Sequence, residues 1–552
     1  MPRLPHGTVV RLDTVEVANA VLASNTPELA RAFTTALQAD LHAFGYLFPG
    51  LQNDATNLLP TSKQTRDALV ELGRTMRDPG PGQPNDPGDS HIPAAYTYFG
   101  QFVDHDITLE ATSSGTGQTA GGLAGLLDPD LAPLALEAIT ETLRNLRTGT
   151  LDLDSVYGPP APRDGDEMEL GIVTALGNQP PPLARPPRAA DDPFQDLPRE
   201  PRSTVDEHDR AALIGDPRND ENLIVAQLHV AFLRAHNELV RQGKSFRQAQ
   251  RLLRQHYQHI VIHDFLRQRV ADAHIVDDIL QNGNKFYKPG QRAFFLPLEH
   301  TVAAYRFGHT MVRGAYNFNL NFGFGRPGGP ATLARLFLFT ALSGQLFPAP
   351  APPPPEEGFP TLPENWIIEW PNIIDAGGGV PFNFTRRLDT QLVEPLFHLF
   401  NLKGEEELDD GARLAVRNLL RGYLLRLPTG QAVAAALGRA ALTPAQLEAS
   451  AVSPAQVDVL RNAGFLERTP LWYYILAEAG APVTPAPGEA AGGGGERLGP
   501  VGSTLVAEVL IGLVRRSADS ILGRAHWQPS LPSAQPGTFE LADLLRFAKV
   551  LA

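Results

Sequence analysis

Four short runs hold the side chains best suited to chemistry. The first, Tyr98-Phe-Gly-Gln-Phe-Val-Asp-His-Asp106, sets a histidine between two carboxylates. On a helix Gln101 and His105 share a face, four residues apart. An imidazole beside acceptors can shuttle a proton near neutral pH, and a salt-bridged surface histidine is the plainer reading. The second run spans Thr148 to Gly158 and puts oxygen-bearing Thr148, Thr150, Asp152 and Asp154 on alternate positions. An irregular loop can turn such oxygens toward one hard cation such as Ca²⁺, with Asp106 adding a carboxylate; the same residues could equally cap a helix. The third, Gly215-Asp-Pro-Arg-Asn-Asp-Glu221, starts a helix at Asp-Pro and would set Arg218 and Glu221 on one face of its first turn. The fourth pairs an isolated histidine, His309 in Tyr305-Arg-Phe-Gly-His-Thr310, with a distant amide, Asn418. A lone helical histidine is usually structural, but an iron ligand needs such an imidazole with an acceptor for its second nitrogen.

The elements that must position these groups are mostly helices. Apolar residues recur at helical spacing from Asn222 to Arg241, and Phe246–Val270 and Leu414–Leu425 look alike. Few strand patterns survive. The helices are parted by Pro/Gly-rich connections at Asp78–Gly88, Pro159–Pro201, Pro348–Pro363 and Pro482–Gly499. We expect a mainly α protein with one large helical domain, long loops and little β, because residues scattered from Gln101 to Asn418 serve one centre only if they converge. The expected organisation is an N-terminal extension over residues 1–90 packed on the core, a main domain over 91–525 and a C-terminal segment over 526–552.

Composition narrows the chemistry. Among 552 residues there is no cysteine, which excludes disulfides, thiolate ligands and a cysteine nucleophile. A net charge of −14 without a basic run argues against nucleic acid. Leu336–Leu346 and Leu505–Val514 are too short to span a bilayer. The N-terminus lacks the pattern of a standard secretion signal, so a soluble protein is expected.

Taken together, in this order and spacing, the four runs resemble the animal-type haem peroxidases of the peroxidase–cyclooxygenase superfamily, which includes myeloperoxidase, lactoperoxidase and peroxinectin. The resemblance covers roughly residues 93–522 and fits the bacterial branch, with Thr469-Pro-Leu-Trp-Tyr-Tyr-Ile-Leu476 and Leu498-Gly-Pro-Val-Gly-Ser503 adding to it. It implies His105 as the distal histidine with Gln101 as its neighbour, and Arg218 as the distal arginine. It implies His309 as the iron ligand, Asn418 as its hydrogen-bond partner and Arg306 one turn before it. Asp104 and Glu221 match the carboxylates that esterify haem methyl groups. Asp106, Thr148, Thr150 (through its carbonyl), Asp152 and Asp154 match a calcium site, with Asp154 standing where many animal members have serine. The implied cofactors are haem b, ester-linked, and Ca²⁺. The implied partners are hydrogen peroxide and small donors: phenols, iodide, bromide and thiocyanate. An extracellular setting and a response to oxidative stress would fit the resemblance.

Two departures matter. Asn222 follows Glu221 where myeloperoxidase has the methionine of its third haem bond, which argues against strong chloride oxidation. Beyond Gly422 the chain reads Tyr423-Leu-Leu-Arg426 in place of the usual Arg-Asp-His-like sequence. The alternatives are a fatty-acid dioxygenase of the same superfamily, or an adhesion protein that keeps the fold. The dioxygenase needs a tyrosine three residues before the proximal histidine, and that position is Arg306, with Tyr305 one place off. A non-haem metal site at His256, His259 and His263 would lack a nearby Glu, and we read that trio as a polar helix face.

Overall fold

Polar caps decide where several of the long helices begin. Ser62 accepts a hydrogen bond from the Thr65 amide at 3.0 Å and opens α1 (Lys63–Thr75). The helix α2 (Ala95–Ile107) has no side-chain cap and is held by burial of nearly its whole surface. Asn222 accepts from the Val225 amide at 3.0 Å and opens α3 (Leu223–Arg241). Ser245 and Gln248 form a reciprocal capping box at the start of α4 (Phe246–His259). That helix runs on through Ile260–Val270 with a wider π winding, so the expected helix is continuous but not uniform. Later come α5 (Leu414–Leu424), α6 (Leu471–Gly480), α7 (Pro500–Arg516) and α8 (Leu541–Phe547). The computed structural model describes residues 10–11, 42–78, 80, 86–112, 123–177, 180–187, 192–203, 209–289, 294–337, 340, 359–377, 379, 381–397, 410–523 and 527–552. Most of the Leu336–Leu346 run and of the Pro348–Pro363 connection lies outside them.

The fold is mainly α, as the periodicity predicts, and its strands are short. One small sheet matters for the site. Strands β1 (Val10–Arg11), β2 (His42–Gly45), β3 (Glu110–Thr112), β4 (Leu143–Asn145) and β5 (Phe295–Pro297) run in the order β1-β3-β4-β2-β5. Antiparallel pairing of β3 with β4 sets Glu110 opposite Asn145. The Asn145 amide then donates to the Ile107 carbonyl at 2.8 Å and accepts from the Leu109 amide at 2.7 Å. One buried side chain thus ties the end of α2 to the start of the Thr148–Asp154 loop.

The core behind α2 is aromatic. Phe102 stacks on Phe232 of α3 at 4.6 Å between ring centres and meets Tyr257 of α4 edge-on at 6.1 Å. Phe99, one turn earlier, meets Phe265 at 5.6 Å. Such pairs add about 0.5–1.5 kcal/mol each beyond area burial and lock α2 against both neighbours. On the other flank α5 packs on α1, closest at Gly73, where a Cβ would lie 2.8 Å from the Val416 amide nitrogen. Among the described residues no helix is long and apolar enough to cross a membrane.

Candidate functional site

His105 lies near the end of α2 and is fully buried. Its Nδ1 sits 2.9 Å from Oδ1 of Asn219. Asn219 belongs to a separate 3₁₀ turn, Pro217–Asp220, which packs against both α2 and α3. This corrects the expected helix start. Asp-Pro opens that short turn and not α3, because Asp216 caps the Arg218 amide at 2.9 Å while Asn222 caps α3 independently. Arg218 and Glu221 lie one turn apart along that short turn, with the Glu221 amide donating to the Arg218 carbonyl at 3.1 Å.

Arg218 is fixed by its own turn. Its Nε and Nη2 donate to the two Asp216 oxygens at 3.0 and 2.7 Å, and Nη2 also reaches the carbonyls of His105 and Thr108. Arg147 grips the same Asp216 at 2.7 Å. Burial alone would raise the Asp216 carboxyl, but the two guanidinium groups outweigh it and hold it well below the ordinary range.

Gln101 joins the next two positions. Its Nε2 donates to Glu221 at 2.9 Å and its Oε1 accepts from Asn222 at 3.1 Å. Asp104, on the same helix, accepts from the Thr108 hydroxyl at 3.1 Å. Burial pushes the Asp104 carboxyl up, against the pull of Arg218 and Arg306. Asp104 thus feels one arginine from the His105 side and one from the His309 side.

Asp106 points into the Thr148–Asp154 loop. Its oxygens accept from the amides of Leu153 at 3.1 Å and Ser155 at 3.0 Å. Gly149 and Leu153 take positive φ, 63° and 59°, which bends the loop around this carboxylate. The Thr148 hydroxyl meets Thr150 at 3.3 Å and Asp152 at 3.1 Å, and Arg147 lies 3.5 Å from Asp154. Burial, then the charges of Asp152 and Asp154, push Asp106 up to about 8. Burial, then Asp154, raises Asp152. The five oxygen donors of the expected calcium set are thus neighbours. Among the described residues, however, no three or more His, Asp or Glu side chains are arranged as a metal site.

His309 stands in a four-residue turn, Gly308–Met311, that packs on α2. Asn418 of α5 is fully buried, with Nδ2 3.0 Å from His309 Nδ1 and Oδ1 accepting from Arg306 at 2.8 Å. The expected trio is together, but the polarity of one bond is reversed. We expected His309 to donate to Asn418. The guanidinium of Arg306 can only donate, so it takes the amide oxygen and leaves the amide nitrogen for His309.

The sequence reading missed Asn219, His229 and Asp216. Asp216 carried a signal, an aspartate two residues before the amide it caps. Asn219 and His229 carried none, since only folding brings them beside His105. The trio His256, His259 and His263 is not a solvated face. His256 Nε2 accepts from the amides of Ser530 and Leu531 at 2.9 and 3.1 Å, and Trp527 and Phe539 cover it.

Comparison with known proteins agrees with this architecture. The family model described as animal haem peroxidase matches residues 138–326. Peroxidase A from Dictyostelium discoideum is similar in structure, with TM-score 0.52 at 15% identity over 87% of this chain and 88% of that one. Fatty acid alpha-dioxygenases are also found. That of Oryza sativa has TM-score 0.43 at 11% identity over 96% and 95% of the two chains. That of Arabidopsis thaliana has TM-score 0.46 at 11% over 89% and 74%. No curated protein matches the sequence.

Proposed function

We propose that this chain, whose residues 138–326 match the animal haem peroxidase family, is a member of the peroxidase–cyclooxygenase superfamily and a haem peroxidase that reduces hydrogen peroxide and oxidises small donors. The observation that carries the reading is the packing of the His105 helix against both the Arg218 turn and the His309 turn, with Arg306 and not tyrosine three residues before His309. The donor set fits a haem. His309 would ligate the iron, His105 and Arg218 would act on peroxide, Arg306 would meet a propionate, and Asp104 and Glu221 would supply carboxylates to the porphyrin. One feature must change on binding. If His309 ligated the iron through Nε2, its Nδ1 would carry the proton and donate, so the Asn418 amide would turn over and Arg306 would be released to meet another acceptor.

When bound, haem supplies the iron that takes electrons from the donor and passes them to peroxide. The protein moves the protons. His105 takes the proton from one peroxide oxygen and returns it to the other, which leaves as water. Arg218 Nη1 stabilises the negative charge on that leaving oxygen in a dry site. Asp106 and the Thr148–Asp154 loop would hold one Ca²⁺, which would join the loop to the residue after His105 and offset three crowded carboxylates. Asp104 and Glu221 would be the carboxylates able to form ester links to haem methyl groups, with peroxide as the two-electron oxidant of each methyl C–H bond. Asn222 has no thioether for a third link, so iodide, bromide and thiocyanate are preferred over chloride.

An absorption spectrum of the purified protein with and without peroxide, beside a dye assay, tests the reading. A haem band that peroxide shifts, with dye oxidised, supports it. Lipid-dependent oxygen uptake without dye oxidation would establish the dioxygenase instead. Acid–acetone extraction after peroxide tests the esters: freely extracted haem would refute them.

A further inference from the structure

Asn219 is completely buried and stands between two imidazoles. Its Oδ1 is 2.9 Å from Nδ1 of His105 and its Nδ2 is 3.1 Å from Nδ1 of His229. The two ends of a carboxamide are not interchangeable, because Nδ2 only donates and Oδ1 only accepts. The row therefore has one direction. His229 Nδ1 accepts and carries no proton, while His105 Nδ1 donates and does. A neutral His105 then presents Nε2 as a lone pair, the form a general base needs.

The rest of the structure holds this row still. His229 lies inside α3, fully buried, and its ring meets Phe102 edge-on at 6.0 Å. Phe102 precedes His105 by three residues on α2, so both histidines pack on one helix segment. Burial keeps His229 neutral, with its pKa pushed down to about 3, so one ring nitrogen stays without a proton, and the Asn219 Nδ2 that faces Nδ1 makes it that one. The Asn219 backbone is fixed as well, since its amide donates to the Asp216 carbonyl at 3.0 Å. The same four-residue turn thus carries Arg218, aimed by Asp216, and Asn219, engaged with His105.

We propose that Asn219 is a positioning residue that fixes the tautomer and ring orientation of His105, and that His229 fixes Asn219 in turn. The proposal rests on the peroxidase reading for its purpose, but not for its geometry. The test has two parts. Histidine-¹⁵N spectra of the full-length chain, purified without added haem, report which ring nitrogen of His105 is protonated; the His105→Gln variant identifies its signals. Wild type should show Nδ1–H, Asn219→Leu should shift the population toward Nε2–H, and Asn219→Asp, which keeps the acceptor, should restore Nδ1–H. In haem-loaded protein, Asn219→Leu should slow the reaction with peroxide by about tenfold to a hundredfold, part of the usual acid–base contribution. Haem content should be unchanged, and Asn219→Asp should recover most of the rate. If Asn219→Leu does not fold, His229→Phe should still produce a mixed tautomer population. A wild-type His105 protonated at Nε2, or an unchanged tautomer in both the Leu and Phe variants, overturns the assignment. A wild type that binds no haem refutes the peroxidase reading alone, since the ¹⁵N spectra still decide what Asn219 does.

Discussion

His105 lies in a thirteen-residue helix clamped by an aromatic core, whereas His309 lies in a four-residue turn that follows a π-helical stretch and a 3₁₀ segment. The partners of His105 and Arg218 are buried side chains already bonded in the polarity their chemistry needs. The partner of His309 is bonded in the opposite polarity. On the proposed peroxidase reading, this contrast follows from what each side must do. A proton moves correctly only if imidazole and guanidinium are preset within a fraction of an ångström, and only the protein can preset them. A metal–nitrogen bond is strong enough to set its own ligand, so the His309 side can finish its arrangement when the cofactor arrives.

The sharpest way to break this comparison is to remove the iron ligand. His309→Ala should abolish haem retention, read as loss of the haem band after gel filtration, while far-UV circular dichroism of the helices stays unchanged. Normal haem content would mean that the His309 side holds no iron. The next effect lies on the preset side. His105→Ala and Arg218→Ala should each keep haem yet slow its reaction with peroxide by about a hundredfold or more. Rapid-mixing spectra measure this, and an unaltered rate in both would remove the functional meaning of the contrast.

The proposed calcium loop gives a smaller effect with a definite sign. Asp106 is raised from an ordinary carboxylate value to about 8 by burial and by Asp152 and Asp154. Between those two values the folded chain without cation binds more protons than the unfolded chain, so its stability falls as pH rises through that window. Bound Ca²⁺ reverses the preference by neutralising the carboxylates. Melting curves in chelator should therefore drop between pH 5 and about 8, and saturating calcium should cancel the drop. A ligand at about a hundred times its dissociation constant adds about 2.7 kcal/mol. Asp152→Ala should lose that increment, and identical curves with and without calcium would show that the loop holds no ion.

Much of the frame behind this contrast was legible in the chain. The helix over Asn222–Arg241 could be read because a capping asparagine precedes an unbroken apolar period, and Leu414–Leu424 for the same periodicity. The π winding of Ile260–Val270 could not, since its apolar pattern is that of an ordinary helix. The members of the site were visible as local runs: Gln101 to Asp106, Thr148 to Asp154, Arg218 to Glu221 and His309. Their couplings were not. Asn219 meets His105 across 114 residues, and Arg306 meets Asn418 across 112. No periodicity records which way a side-chain amide turns. The bond polarity at His309 could not be read for that reason, since it depends on a guanidinium that competes for the same oxygen.

Asn222 offers the smallest test, because it serves both the frame and the site. Its Oδ1 caps α3 through the Val225 amide, while its Nδ2 donates to Gln101, whose own amide donates to Glu221. Asn222→Ala removes both bonds and should cost about 1 kcal/mol, the usual value of a lost helix cap. Asn222→Asp keeps the capping oxygen but cannot donate, so it should retain stability in urea melts while releasing the Gln101 amide. If Gln101 matters only through Glu221, the Asp variant should react with peroxide at the wild-type rate, because the Gln101–Glu221 bond does not require Asn222. A loss of peroxide reactivity in the Asp variant, with stability kept, would show that the preset side of the site extends to the start of α3. An equal loss of stability in both variants would show that the amide bond to Gln101, and not the cap, is what holds this junction.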